Sequence, residues 1–163
     1  MNSPLLPTRT GQRLLTIVGW WNIAFAVLHV VIIFAGGSGY RYFGAGEKMA
    51  LAAETGDPKP TIITTGLTAM FFLFGIYVLS AAGQFRRLPL ARWAVLGIGV
   101  LYLLRGILVG PQARWAIQHP DQVPLRFVLF SAVALLLGVM CVYGVMLRWK
   151  ELDATPAKAE QHA

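Results

Sequence analysis

Acidic side chains are scarce in this chain. Seven Asp and Glu stand against fourteen Lys and Arg in 163 residues, for a formal charge of +7. Charged residues of either sign make up only 13%, where an ordinary soluble domain carries about 25%. A chain so poor in charge cannot coat a globule with solvated side chains, so much of its surface faces something other than water. Cysteine is nearly absent as well. Cys141 stands alone in an apolar run, which excludes an internal disulfide, a Cys-x-x-Cys redox pair and a thiolate zinc site, and marks it as a small buried hydrophobe. No P-loop, His-Glu-x-x-His or phosphate-cradling glycine fingerprint occurs.

What is present is apolar sequence, at 56% of all residues, gathered into four runs. They extend from about Leu14 to Ala35, Ile62 to Ala82, Trp93 to Val109 and Phe127 to Leu147. A hydrocarbon core of roughly 30 Å takes about 20 helical residues to cross. Helix is the required form, because an open strand edge in lipid leaves backbone donors and acceptors unpaired. The first run exceeds the roughly 7–15 residues of a signal-peptide core, so it reads as a retained span. The expected fold is therefore all-α: a polytopic up-down bundle of four transmembrane helices.

Sidedness follows from the basic residues. Arg9, Arg13, Arg86, Arg87, Arg92, Arg148, Lys150 and Lys158 fall on one side; Arg41, Lys48, Lys59, Arg114 and Arg126 fall on the other. The richer side is expected in the cytoplasm, which puts both termini there and the protein in the cell's inner (plasma) membrane. The positive charge lies in short clusters between spans rather than in one patch or arm, so the bilayer and not nucleic acid is the expected partner. Trp93, Trp149 and Phe85 mark the inner boundary, and Tyr40, Tyr42, Phe43 and Trp115 the outer.

The expected organisation is a cytoplasmic segment (1–13), one membrane domain (14–147) and a disordered cytoplasmic tail (148–163). Outer loops cover 36–61 and 110–126, and an inner loop covers 83–92. Gly110-Pro111 is expected to stop the third span, since proline cannot continue the helical ladder. Pro120 and Pro124 punctuate the loop that follows. In the first outer loop Gly36-Gly37-Ser38-Gly39 reads as flexible and Ala45 to Thr55 as a short interfacial helix, with Glu47 complementing its dipole and Gly56 ending it.

Polar residues inside spans are costly and therefore informative. His29 lies six residues before Ala35, about 9 Å below the outer boundary at the helical rise, and Arg105 lies about 7–8 Å below Gly110. Thr64 and Thr68 share one face of the second span, and Ser131 sits at similar depth in the fourth. These positions predict a polar pocket open to the outer face. Arg105 would be its fixed charge, His29 its titratable partner, and Tyr102 a hydroxyl one turn from the arginine. Glu47, Glu54 or Asp57 from the loop would serve as counter-ion. A guanidinium fork suits a carboxylate or phosphate ligand. The competing reading is structural: the arginine extends toward the headgroups, and the hydroxyls and imidazole bond to helix carbonyls.

Function stays open at this point between a site for a small anionic or amphipathic ligand, a non-catalytic accessory or assembly subunit of a larger membrane complex, and a lipid-modifying enzyme using His29 and Arg105. No cofactor is expected. Haem between two histidines lacks its second ligand, because His119 and His162 lie outside the spans. Small proton-coupled multidrug exporters carry a carboxylate within a span, whereas every Asp and Glu here lies in a loop or tail. A disulfide-forming quinone enzyme fails on cysteine count. Gly106-x-x-x-Gly110 and Ala134-x-x-x-Gly138 match the small-residue pattern for close helix approach, within the chain or between copies of it.

Overall fold

The computed structural model describes residues 6–118 and 125–153. His119, Pro120, Pro124 and the tail beyond 153 lie outside the described residues. Within them every regular element is a helix: α1 (Leu6–Phe43), α2 (Glu47–Glu54), α3 (Lys59–Ala81), α4 (Ala91–Gly106), α5 (Val109–Gln118), α6 (Leu125–Leu147) and α7 (Trp149–Asp153). Four stretches are long and apolar enough to cross a membrane: Thr8–Phe43, Lys59–Ala81, Ala91–Gln118 and Leu125–Leu147. At about 1.5 Å per residue the 23-residue α3 and α6 each reach about 35 Å. Large apolar side chains lie open along these helices, with Phe34 86% exposed, Ile117 79% and Ile62 65%. Such an outside suits hydrocarbon rather than water.

Four features of the helices differ from the sequence expectation. α1 already includes the residues from Leu6 onward, ahead of Leu14. The helix also passes beyond Ala35. Gly36 alone leaves helical geometry (φ 60, ψ −142), a conformation glycine adopts without strain, and the chain re-enters helix through Phe43. Pro111, expected as a stop, lies instead in the first turn of α5 after a short break at Ile107-Leu108. Proline ends a helix from its interior and suits its beginning. α7 likewise puts helix where the tail was expected to be disordered, because Glu151 is held by two arginines. Arg148 Nε donates to its carboxylate at 3.0 Å and Arg87 Nη1 to its carbonyl.

The chain packs as two compact units, Met1–Gly19 with Tyr77–Ala163, and Trp20–Ile76. In the first, α4 and α6 meet along a glycine seam. A methyl group on Gly106 would come within 2.5 Å of Leu135 Cα, one on Gly138 within 2.8 Å of Leu103 N, and one on Gly99 within 2.7 Å of Val142 Cγ2. Gly99 and Gly106 are two turns apart, so one face of α4 offers both gaps. Gly97 and Gly110 meet nothing within 4 Å and take no part. The start of α1 seats Leu15 against Gly144, and Leu15 and Val18 are fully buried. Arg148, counted from sequence only toward orientation, is buried and donates from Nη1 to the Ala81 carbonyl at 2.6 Å. Ser80 braces the connection between α3 and α4, donating to the Arg86 carbonyl (3.1 Å) and accepting from Leu88 N–H (2.8 Å).

The second unit is built on a small core of Ile32, Tyr40 and Ala50, with Leu28, Phe43 and Ala53 packed around it. Asp57 accepts a hydrogen bond from Lys59 N–H at 2.9 Å, an Asx turn that leads into α3. Beside it Pro60 fills the first turn.

Candidate functional site

Arg105 lies in the last turn of α4, where a cation complements the helix dipole. The glycine seam brings α6 close enough for its side chain to cross. Arg105 Nη1 donates to Ser131 Oγ at 2.7 Å, and the Ser131 hydroxyl donates onward to Gln112 Oε1 on α5 at 2.5 Å. Ser131 is fully buried, so its two bonds orient both neighbours. Tyr102 is buried one turn before the arginine. Among the described residues, Arg105 has no carboxylate within ion-pair distance. A guanidinium has five N–H donors, and Ser131 is the one described partner. The group is thus positioned by a neutral hydroxyl and amide, with no acid beside it among the described residues, an arrangement able to take a carboxylate or phosphate.

The other residues named from sequence sit in different surroundings. His29, in the second unit, donates from Nδ1 to the Phe25 carbonyl of its own helix at 2.7 Å, since a carbonyl can only accept. Its ring lies on Phe71, with centroids 4.9 Å apart. Thr68 bonds back to the Thr64 carbonyl at 2.9 Å, and Thr64 is itself buried. Glu47 and Glu54 come together on Arg41. Its Nε and Nη2 donate to both Glu47 oxygens at 2.9 and 2.8 Å, and Nη1 to Glu54 at 2.5 Å. That guanidinium holds both carboxyls below the usual carboxylate range. The structure therefore joins Arg105 to Ser131, Thr68 to Thr64, and Glu47 to Glu54 through Arg41.

Gln112 went unnoticed from sequence. It stands in the first turns of α5, beyond the expected stop at Gly110-Pro111, which hid its place in a helix next to Arg105. Tyr40, an interfacial aromatic by its place in the sequence, lies in the core of the second unit. It is 2% exposed, and its hydroxyl has no hydrogen-bond partner among the described residues. No family model, curated protein or solved structure matches the chain.

Proposed function

We propose that the chain is a multi-pass protein of the cell's inner membrane, with both termini cytoplasmic, that binds or carries a small anionic or amphipathic ligand near the outer end of its spans. The observation that carries this reading is the Arg105–Ser131–Gln112 array. A guanidinium within an apolar helix, held by uncharged partners, keeps its attraction for an anion, and low local polarity strengthens that attraction. In the proposed topology the array lies in the outer third of the bilayer. The short α2 then sits at headgroup level, where Tyr42 and its neighbours anchor it.

The test is thermal unfolding of the purified protein in neutral detergent, with small carboxylates, phosphates and amphipathic anions added in turn. At least one is expected to raise the midpoint of wild type and to leave Arg105→Gln unmoved. Ser131→Ala is expected to reduce the response, as it frees the guanidinium to wander. Equal behaviour of wild type and both variants with every anion would remove the reading. An accessory or assembly role is the competing reading. Gly97, open on the face of α4, favours it, since a bare glycine admits the close approach of another helix. Recovery of only the isolated chain or its homo-oligomer from gently solubilised native membranes would count against that alternative.

A further inference from the structure

Away from Arg105, at the start of α1, the first unit has a cavity of about 600 Å³ lined by Arg9, Gln12, Arg13, Thr16, Ile17 and Gln84. It is open to the surface, with Arg9, Gln12, Arg13, Ile17 and Gln84 all exposed. Arg9, Arg13 and Ile17 follow one another at four-residue steps, so they form a single stripe along the helix. Gln12 and Thr16 form the adjacent row. Gln84 closes the side from the turn after α3, and its backbone N–H is fixed to the Leu79 carbonyl at 3.0 Å. The Thr16 hydroxyl donates to the Gln12 carbonyl (2.9 Å) and accepts from Gln84 Nε2 (3.3 Å), which ties the two walls together.

The lining is rich in donors and holds no acid. Among the described residues neither Arg9 nor Arg13 has a carboxylate partner, and Glu151 of the same unit is paired with Arg148. Two guanidinium groups one turn apart repel unless an anion stands between them. Along the stripe the character passes from guanidinium through hydroxyl and amide to the half-exposed Ile17. That order matches a molecule with a phosphate at one end and an apolar remainder at the other.

We propose that this cavity is a binding site for the phosphate-bearing headgroup of an anionic phospholipid of the inner leaflet, the two arginines gripping the phosphate and the Gln12–Thr16–Gln84 wall the headgroup hydroxyls. Basic side chains at the cytoplasmic surface draw anionic lipid, and an arginine fork binds phosphate oxygens in pairs. The assignment rests on the bilayer reading and not on the Arg105 site.

The experiment uses the full chain in neutral detergent with short-chain phosphatidylglycerol, phosphatidylcholine or glycerol 3-phosphate added, read by thermal shift and native mass spectrometry. Phosphatidylglycerol is expected to bind and stabilise, and the other two are not. Arg9→Gln and Arg13→Gln should each weaken that binding about fivefold, with Arg13→Lys intermediate. Arg86→Gln, which removes an exposed cation outside the cavity, should leave it unchanged. Equal binding of phosphatidylcholine, or an equal loss in Arg86→Gln, overturns the site. A shift produced by glycerol 3-phosphate alone overturns the lipid and assigns the cavity to soluble phosphate esters. Carbonate extraction of native membranes separates the two failures: release of the chain sinks the bilayer reading, whereas a retained chain indifferent to phosphatidylglycerol sinks this inference alone.

Discussion

Arg41 and Arg105 are the same side chain in opposite circumstances. Arg41 meets two carboxylates, Glu47 and Glu54, and its charge is spent within its own unit. Arg105 meets a serine, and behind it a glutamine, and no acid among the described residues. The difference arises from what the chain places nearby. Around Arg41 the backbone doubles back through α2, so acids six and thirteen residues away reach one guanidinium. Around Arg105 the neighbours are a glycine seam and a buried hydroxyl, which fix position without neutralising charge. An arginine paired with acids holds a fold together; an arginine held by neutral groups remains able to attract a ligand.

The largest effect is expected from breaking the seam that gives Arg105 its partner. A methyl on Gly106 would meet the backbone of Leu135 at 2.5 and 2.6 Å, which side-chain adjustment cannot relieve. Gly106→Ala should therefore force α4 and α6 apart and destabilise the protein by about 1–3 kcal/mol. It should also remove any anion response, since Ser131 would lie beyond reach of the guanidinium. Gly97→Ala, on open surface, should stay within about 0.5 kcal/mol of wild type. Thermal unfolding of both variants in detergent checks this, and indistinguishable midpoints would mean the seam does not position Arg105.

The seam shows what sequence discloses. The four apolar runs are visible because hydrocarbon demands about 20 uncharged residues in one piece, a requirement that leaves little ambiguity. Arg105 and Ser131 were identifiable as polar groups inside apolar runs, because position along a helix is linear in residue number. Gln112 was missed because Pro111 has opposite meanings in the interior and at the start of a helix, and sequence alone does not say which applies. Nor was it visible that Arg41 would claim Glu47 and Glu54, for that depends on a reversal at Gly44 and Gly46, both at positive φ. His29 illustrates a third case. Its depth was legible, but an imidazole four residues after any carbonyl can bond its own helix, and His29 does so with Phe25.

A smaller effect is expected beside Arg41. Tyr40 fills the core under α2, yet its hydroxyl finds no partner among the described residues. Leaving a buried hydroxyl unpaired costs about 1–3 kcal/mol, and removing it recovers part of that. Tyr40→Phe keeps the ring and should raise stability by up to about 1 kcal/mol. Amide exchange in α2 reads the result locally. Faster exchange in the variant would show that the hydroxyl has a partner after all and that this region, unlike the Arg41 cluster, holds a polar site.

The smallest effect separates the two arginines by pH. Glu47 and Glu54 are held below the usual carboxylate range by Arg41, so they bind protons more readily in an unfolded chain than in the folded one. Their contribution is therefore fully present above the ordinary carboxylate range and is lost as pH falls through the depressed values. Both acids are exposed, so water and salt screen the pairs and the change is modest. Acidification should speed amide exchange in α2 while leaving the α4–α6 seam protected, because among the described residues the Arg105–Ser131–Gln112 array contains no carboxylate. Added salt at neutral pH should act in the same direction on α2 and again spare the seam. If α6 amides around Ser131 loosened at the same pH as α2, a carboxylate would have to be acting on Arg105, and the contrast between a spent and an unspent charge would disappear.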